Sequence, residues 1–267
     1  NAIRTTDTFP KLYSEKIKYN KKENFYINGI AKGSGMIAPN MATMLSFVFT
    51  NASISKKLQK KIINDSVKKS FNNISVDGDT STNDSYVLVS TPTEKSIKIN
   101  DVDDKNYHIL RHLIINVSKK LAKKIIEDGE GATKFLKLII SGVANQKHCK
   151  IIASKICNSP LVKTALNASD PNIGRIYSAL GSTELSFIKK DNFVLQVNDL
   201  VIWDRGKIGA TYTEKKGQYE FKKKKIVIKI NFINKDSFAD TYEFYSCDLS
   251  KEYVEINSNY RSWNINF

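Results

Sequence analysis

The stretch Gly29-Ile30-Ala31-Lys32-Gly33-Ser34-Gly35-Met36-Ile37-Ala38-Pro39-Asn40-Met41-Ala42-Thr43-Met44-Leu45 holds the residue types best suited to chemistry. Its first part is small and glycine-rich, so backbone and ligand can approach closely. Lys32 sets one cation inside it, and Thr43 stands at the mouth of the apolar run over 44–50. A hydroxyl is a weak nucleophile at its free pKa and needs a base beside it. Gly33-Ser34-Gly35 falls short of phosphate-loop spacing and is not clearly followed by a helix. Four further stretches concentrate polar groups: 77–86, 128–134, 159–175 and 247–262. On residue types alone the first two read as turns. A turn explains Gly129 and Gly131 but does not require the carboxylate of Glu130.

Apolar periodicity supplies the elements that must position these groups. Strands are expected over 23–29, 44–50, 85–91 and 134–142. Ile54, Leu58, Ile62, Ile63, Val67 and Phe71 mark an amphipathic helix, with Ser53 or Ser55 as its cap. A second long helix is predicted over 104–127, with Leu110, Leu113, Ile114, Val117, Leu121 and Ile125 on one face, and a third over 145–158. Asp170-Pro171 reads as an N-cap with proline at the first helical position, opening a helix to about Leu180. Beyond Glu184 the segments 193–203, 208–213, 217–221, 225–233 and 240–248 all read as extended. The pattern predicts an α/β (α+β) protein with mixed or antiparallel sheets packed with helices, not a doubly wound nucleotide fold.

The 267 residues, 41% of them apolar, suffice for one large domain or two modest ones. No stretch approaches the roughly 20 apolar residues of a membrane span, and Asn1 to Asp7 carry no apolar leader. Cys149, Cys157 and Cys247 lack metal-type spacing and read as buried or free thiols of a reducing compartment. The net charge of +15 is dispersed, mostly as lysine, without an arginine-rich stripe interleaved with aromatics. Solvated helix faces and strand edges account for it better than a nucleic-acid surface does. His108, His112 and His148 lie outside every polar stretch. No metal or organic cofactor is indicated.

Taken together, Thr5-Thr6-Asp7-Thr8, Gly29 to Leu45, Asp77 to Asp84, Asp128 to Lys134, Ser159 to Arg175 and Cys247 to Tyr260 resemble the ornithine acetyltransferase (glutamate N-acetyltransferase) family of arginine biosynthesis. The matches keep the family's order and approximate spacing across nearly the whole chain. Ile173 stands where the family usually has Trp, and Ala38 where it often has His. The family also carries a segment ahead of the Thr-Thr-Asp-Thr motif, with a Thr-Gly pair thought to form the oxyanion hole. The chain begins after it, so a fragment lacking it is expected to be nearly inactive alone.

The resemblance implies a self-processing fold like that of N-terminal nucleophile enzymes, cleaved between Ala42 and Thr43. Residues 1–42 would be the end of an α chain and 43–267 a β chain, with a helix/strand part to about 183 and a strand-rich part over 184–267. The freed α-amine of Thr43, with a reference pKa of about 7.7–8.0, would serve as its base. The implied reaction is ping-pong transfer of acetyl from N-acetylornithine to glutamate, with acetyl-CoA as a second donor in some members. Thr5, Lys32, Thr43, Glu130, Asn257 and Ser262 match the family's substrate-binding positions, Thr5 being interchangeable with Thr6 in the alignment. A cytoplasmic α2β2 assembly is expected. Three other readings stay open: a self-processing aminopeptidase or amidohydrolase of similar architecture, a basic nucleic-acid binder that has lost catalysis, and an inactive fragment of a parent that is the enzyme.

Overall fold

A computed structural model of the chain describes residues 2–18, 24–38, 44–233 and 241–258. They form two compact units, residues 1–74 with 79–129 and residues 75–78 with 130–267. This division falls at Gly129/Glu130, whereas the compositional change to strand-rich sequence falls near 183.

In the first unit, β1 (Lys11–Lys18), β2 (Asn24–Lys32) and β3 (Leu45–Thr50) run as an antiparallel meander. The short β4 (Ser53–Ile54) leads to α1 (Lys56–Lys69). The chain crosses to the other unit and back through β5 (Ile74–Ser75), and β6 (Ser85–Ser90) then pairs parallel with β3. β7 (Lys98–Ile99) pairs with β4, and α2 (Lys105–Glu127) closes the unit. The sheet order is β1-β2-β3-β6, so β3 lies inside the sheet with a partner on each side.

Ser55 caps α1, its hydroxyl accepting from the Leu58 amide, and Asp104 caps α2 through the Asn106 amide. Both satisfy amide groups that a helix start leaves unpaired. The predicted face of α2, Leu110 through Ile125, is buried throughout. A Cβ at Gly29 of β2 would lie 2.6 Å from Val117 Cγ1 and 2.7 Å from Leu121 Cδ1. Gly29 thereby sets the depth at which the helix seats on the sheet. Each such buried aliphatic side chain contributes about 1.5–3 kcal/mol by leaving water.

The second unit is built on β8 (Phe135–Ser141), β9 (Phe193–Val197), β10 (Leu200–Asp204), β11 (Lys207–Ile208), β12 (Lys225–Phe232) and β13 (Tyr242–Cys247). Their order is β11-β10-β9-β12-β8-β13-β5, with β8 and β12 parallel and the pairs β9–β10, β9–β12, β8–β13 and β10–β11 antiparallel. The mixed sheets match the expected fold class. α3 (Gln146–Cys157), α4 (Pro160–Ala168) and α5 (Ile173–Gly181) bury Ile152, Ile156, Val162, Leu166, Ile176 and Leu180 in one core with Leu138, Leu195 and Ile228 of the sheet. α6 (Glu214–Phe221) and α7 (Lys251–Ser258) complete the unit.

Three local expectations are corrected, and one helix is added that the pattern does not mark. Residues 217–221 are not extended but belong to α6: Thr213 caps it through the Lys216 amide, and Gly217 tucks against Pro171 and Tyr212. Of 208–213 only Ile208 is in a strand, and Thr211–Thr213 lead into that cap. α5 is capped by Asn172, which accepts from the Arg175 amide, so Asp170 and Pro171 precede the helix. α4, capped by Ser159 with Pro160 in its first turn, separates α3 from α5. All three cysteines are buried free thiols, as expected. No helix among the described residues is long and apolar enough to cross a membrane.

Candidate active site

Three of the sequence-predicted site positions, Ala42, Thr43 and Ser262, lie outside the described residues. The other four fall in pairs, Thr5 and Lys32 in the first unit and Glu130 and Asn257 in the second.

In the first unit the glycine-rich loop starts where β2 ends. Lys32 is the last residue of β2 and pairs in register with Leu45 of β3, two residues beyond Thr43. It is 9% exposed and makes no ion pair among the described residues. A cation largely removed from water without a carboxylate is costly unless a ligand supplies one.

The loop is anchored from below by a cluster of charges that the sequence does not reveal. Lys11 Nζ sits 2.6 Å from Asp7 Oδ1 and 2.5 Å from Asp128 Oδ2, with all three side chains at most 1% exposed. Asp7 Oδ1 also accepts from the Gly33 amide at 2.8 Å, and Asp7 Oδ2 from the Thr5 amide at 3.4 Å. Burial pushes the Asp7 carboxyl up, but the Lys11 ammonium and the two amides together hold it below its usual value. Asp128 accepts from both the amide and the hydroxyl of Thr8. Gly33 turns the chain at φ 137°, a conformation that favours glycine. The cluster thus fixes the first residue after Lys32. Thr6 Oγ1 and Ser34 Oγ lie 2.6 Å apart, so the Thr6 hydroxyl is engaged by the loop. Thr5 is exposed, with its hydroxyl making no hydrogen bond among the described residues.

On the far side of Thr43, the Met44 amide donates to Asp84 Oδ1 at 2.7 Å, and the Ser85 amide donates to the Met44 carbonyl at 3.0 Å. Asp84 closes the polar stretch 77–84, so that stretch does more than turn the chain. Its other oxygen, Oδ2, is buried without a hydrogen-bond partner among the described residues. Burial pushes the Asp84 carboxyl above its usual value, with the Met44 amide opposing.

In the second unit, Asn257 Nδ2 donates to Glu130 Oε2 at 2.9 Å and to the Tyr253 carbonyl at 3.0 Å, joining two predicted site residues 127 positions apart. Glu130 is 9% exposed. Gly131 has φ 62°, and a Cβ there would lie 2.5 Å from the Tyr253 amide nitrogen. Only glycine lets the Glu130 segment pass this close to α7. Ser250 donates to the Gly131 carbonyl at 2.6 Å, and Tyr253 OH to Asp77 Oδ2 at 3.3 Å. Asp248 accepts from the Thr133 and Lys134 amides at 2.8 Å each, from the Thr133 hydroxyl and from Asn167 Nδ2. Lys134 Nζ reaches the Leu166 and Phe221 carbonyls and Ser169 Oγ, which makes it a helix-end donor rather than a ligand group. His108 and His112 on α2 and His148 on α3 belong to neither pair of predicted site residues.

Sequence reasoning missed Lys11, Asp84 and Asp248. Asp84 and Asp248 belong to the polar stretches already singled out, but Lys11 lies in a strand that the apolar pattern does not mark.

Comparison with known proteins places the chain in a family. The "Arginine biosynthesis bifunctional protein ArgJ" of Neisseria meningitidis serogroup A is 40% identical over 261 residues, covering 98% of this chain and 64% of that protein. The protein of the same name from Psychrobacter arcticus is 41% identical over 262 residues, covering 98% of this chain and 63% of its own length. The chain therefore spans just under two thirds of the curated relatives it matches. Among solved structures, the arginine biosynthesis bifunctional protein argJ of Bacillus halodurans superposes with a TM-score of 0.71 at 29% identity, covering 82% of this chain and 100% of that one. The family model described as the ArgJ family matches residues 1–262, from the anchored Thr-Thr-Asp-Thr segment past α7, and the chain belongs to that family.

Proposed function

We propose that the protein is a self-processed acetyltransferase of arginine biosynthesis. It moves acetyl from N2-acetylornithine to glutamate through an acetyl-Thr43 intermediate, after cleavage at the Ala42–Thr43 bond. The observation that carries this reading is Lys32. A cation 9% exposed, with no carboxylate partner among the described residues, stands in register with the strand that starts two residues after Thr43. Both the donor and the acceptor amino acid bring a carboxylate to that position, and Lys32 meets it as a point charge.

Glu130, held by Asn257, accepts from the ornithine ammonium, while Thr5, Asn257 and Ser262 supply neutral hydrogen bonds. The Thr43 hydroxyl attacks the acetyl carbon and its α-amine takes the proton. The amine returns that proton to the departing ornithine nitrogen. Glutamate then attacks the acetyl-threonine by the same steps in reverse. The relatives' designation as bifunctional fits acetyl-CoA as a second donor.

Intact mass measurement of the full-length protein tests the reading. Two chains are expected, one beginning at Thr43, and T43A is expected to stay whole and to lose transfer. Release of free acetate in place of acetylglutamate would assign the site to hydrolysis instead.

A further inference from the structure

The stretch from Ser159 to Arg175 takes no part in the transfer chemistry above, yet it borders a groove within the second unit. α3 and α5 lie side by side. The positions that line the space between them recur at helical spacing: 147, 150, 151, 154 and 155 on α3, and 175, 178, 179 and 182 on α5. Steps of three and four residues stack side chains on one face, so each helix presents one stripe to the groove. Its volume is about 760 Å³, within the range of small-molecule sites.

The two stripes share one sign of charge. Lys147, Lys150, Lys155 and Arg175 line the groove, and no aspartate or glutamate is among its lining residues. The basic composition of the chain does not account for this. Two smaller clefts of the same unit mix signs, Asp199 and Glu220 with Lys215 and Lys216 in one and Asp191 with Lys189 in the other. Lys150 is half-buried, and burial holds its ammonium below the ordinary lysine value. Arg175 is half-buried and fixed in direction: its Nη1 donates to the Leu161 carbonyl at 2.8 Å and to Thr164 Oγ1 at 3.1 Å. Its Nε and Nη2 make no hydrogen bond among the described residues. A guanidinium held through one nitrogen keeps the rest of its fork for an anion with paired oxygens. Ser154 and Ser178 add a hydroxyl from each wall, and Ile151, Leu161 and Ala179 add apolar surface.

We propose that the groove between α3 and α5 binds a small molecule that carries a mono- or diphosphate on a ring-bearing or apolar body. The phosphate lies against Arg175 and the lysines, and the body covers Ile151, Leu161 and Ala179. The proposal does not depend on Thr43 or on cleavage before it.

Titration calorimetry of the full-length protein at physiological salt tests it, with inorganic pyrophosphate and ADP as the probes. ADP is expected to bind about 10-fold more tightly than pyrophosphate, because it alone brings a ring body to the apolar residues. Arg175 also ties α5 to α4, so the test is made at two exposed positions instead, one on each wall. K155E/S178E sets a carboxylate on both walls and is expected to weaken ADP about 10-fold while melting as the wild type does. K215E/K216E, in a cleft of mixed sign, lowers the net charge further and is expected to bind ADP unchanged. No binding of either probe at millimolar concentration overturns the proposal, and so does equal affinity for the two. Equal loss in both variants would assign the binding to the diffuse positive field of the surface, and K155E/S178E with wild-type affinity would place it outside the groove; each overturns the proposal. A single-stranded RNA that outcompetes ADP, and is itself weakened in K155E/S178E, would make the groove part of a nucleic-acid surface and overturn it as well.

Discussion

Replacing Lys11 with methionine tests whether the buried charge cluster anchors the loop as described. Methionine fills most of the same volume, so the change removes charge more than packing. It leaves Asp7 with the Gly33 and Thr5 amides and Asp128 with the Thr8 amide and hydroxyl, but both carboxylates lose the ammonium at 2.6 and 2.5 Å. All three side chains are at most 1% exposed, so water does not replace the missing cation. Removing one partner of a buried pair costs about 3–5 kcal/mol, against a total of about 5–15 kcal/mol for a typical domain. The pH dependence is specific. In the wild type Asp7 is held below its usual 3.8, so its contribution is complete above that value and is lost as pH falls through the folded pKa. Without Lys11, burial is left as the largest influence and pushes Asp7 up. A raised carboxyl favours the folded state at low pH and costs stability as pH rises through its folded value. Urea unfolding of K11M and wild type at pH 7 and pH 5 should therefore show a deficit that narrows at pH 5. A deficit below about 1 kcal/mol at pH 7, the range of an exposed pair, would refute the buried anchor. An equal deficit at both pH values would refute the electrostatic account of it.

Two further outcomes follow from the second unit. G131A forces φ 62° on an L side chain and drives its Cβ to 2.5 Å from the Tyr253 nitrogen, so it should lose about 1–2 kcal/mol or more and raise KM by displacing α7 and Asn257, as read by thermal melts and steady-state kinetics; unchanged values of both would remove the close approach as a constraint. Burial pushes the Cys149 thiol to about 11 and the Cys157 thiol to about 12, and raises Cys247 as well, so an aromatic disulfide reagent at pH 8 should label none of the three until the chain unfolds. Rapid labelling of the native protein would contradict their placement.

Much of the scaffold was legible because it repeats. The face of α2 from Leu110 to Ile125 and the strand over 44–50 announce themselves by spacing. What was not legible depended on partners distant in sequence. Lys11 lies in a lysine-bearing edge strand and looks like surface, yet Asp128, 117 positions away, makes it core. Tyr219 and Phe221 mimic strand alternation, but the Thr213 cap and the packing of Gly217 on Pro171 decide for helix. Asn172 displaces Asp170 as the α5 cap because Asp170 is held before the helix, its amide bonded to the Ala165 carbonyl. Of the site, Glu130 and Asn257 were found through their motifs, and the structure adds the hydrogen bond between them. Asp84 and Asp248 had been seen only as members of polar runs, since nothing local tells which of several carboxylates meets a backbone amide.

The ladder between β2 and β3 has a physical outcome of its own. Six residue pairs, from Ile27–Thr50 to Lys32–Leu45, join a strand that precedes the Ala42–Thr43 bond to one that follows it, and β6 grips the other side of β3. Hydrolysis of that bond would leave two polypeptides sharing one sheet, with no face along which they could part intact. Dilution would not separate them, only denaturant would, and either piece made alone would carry a raw sheet margin searching for its missing neighbour.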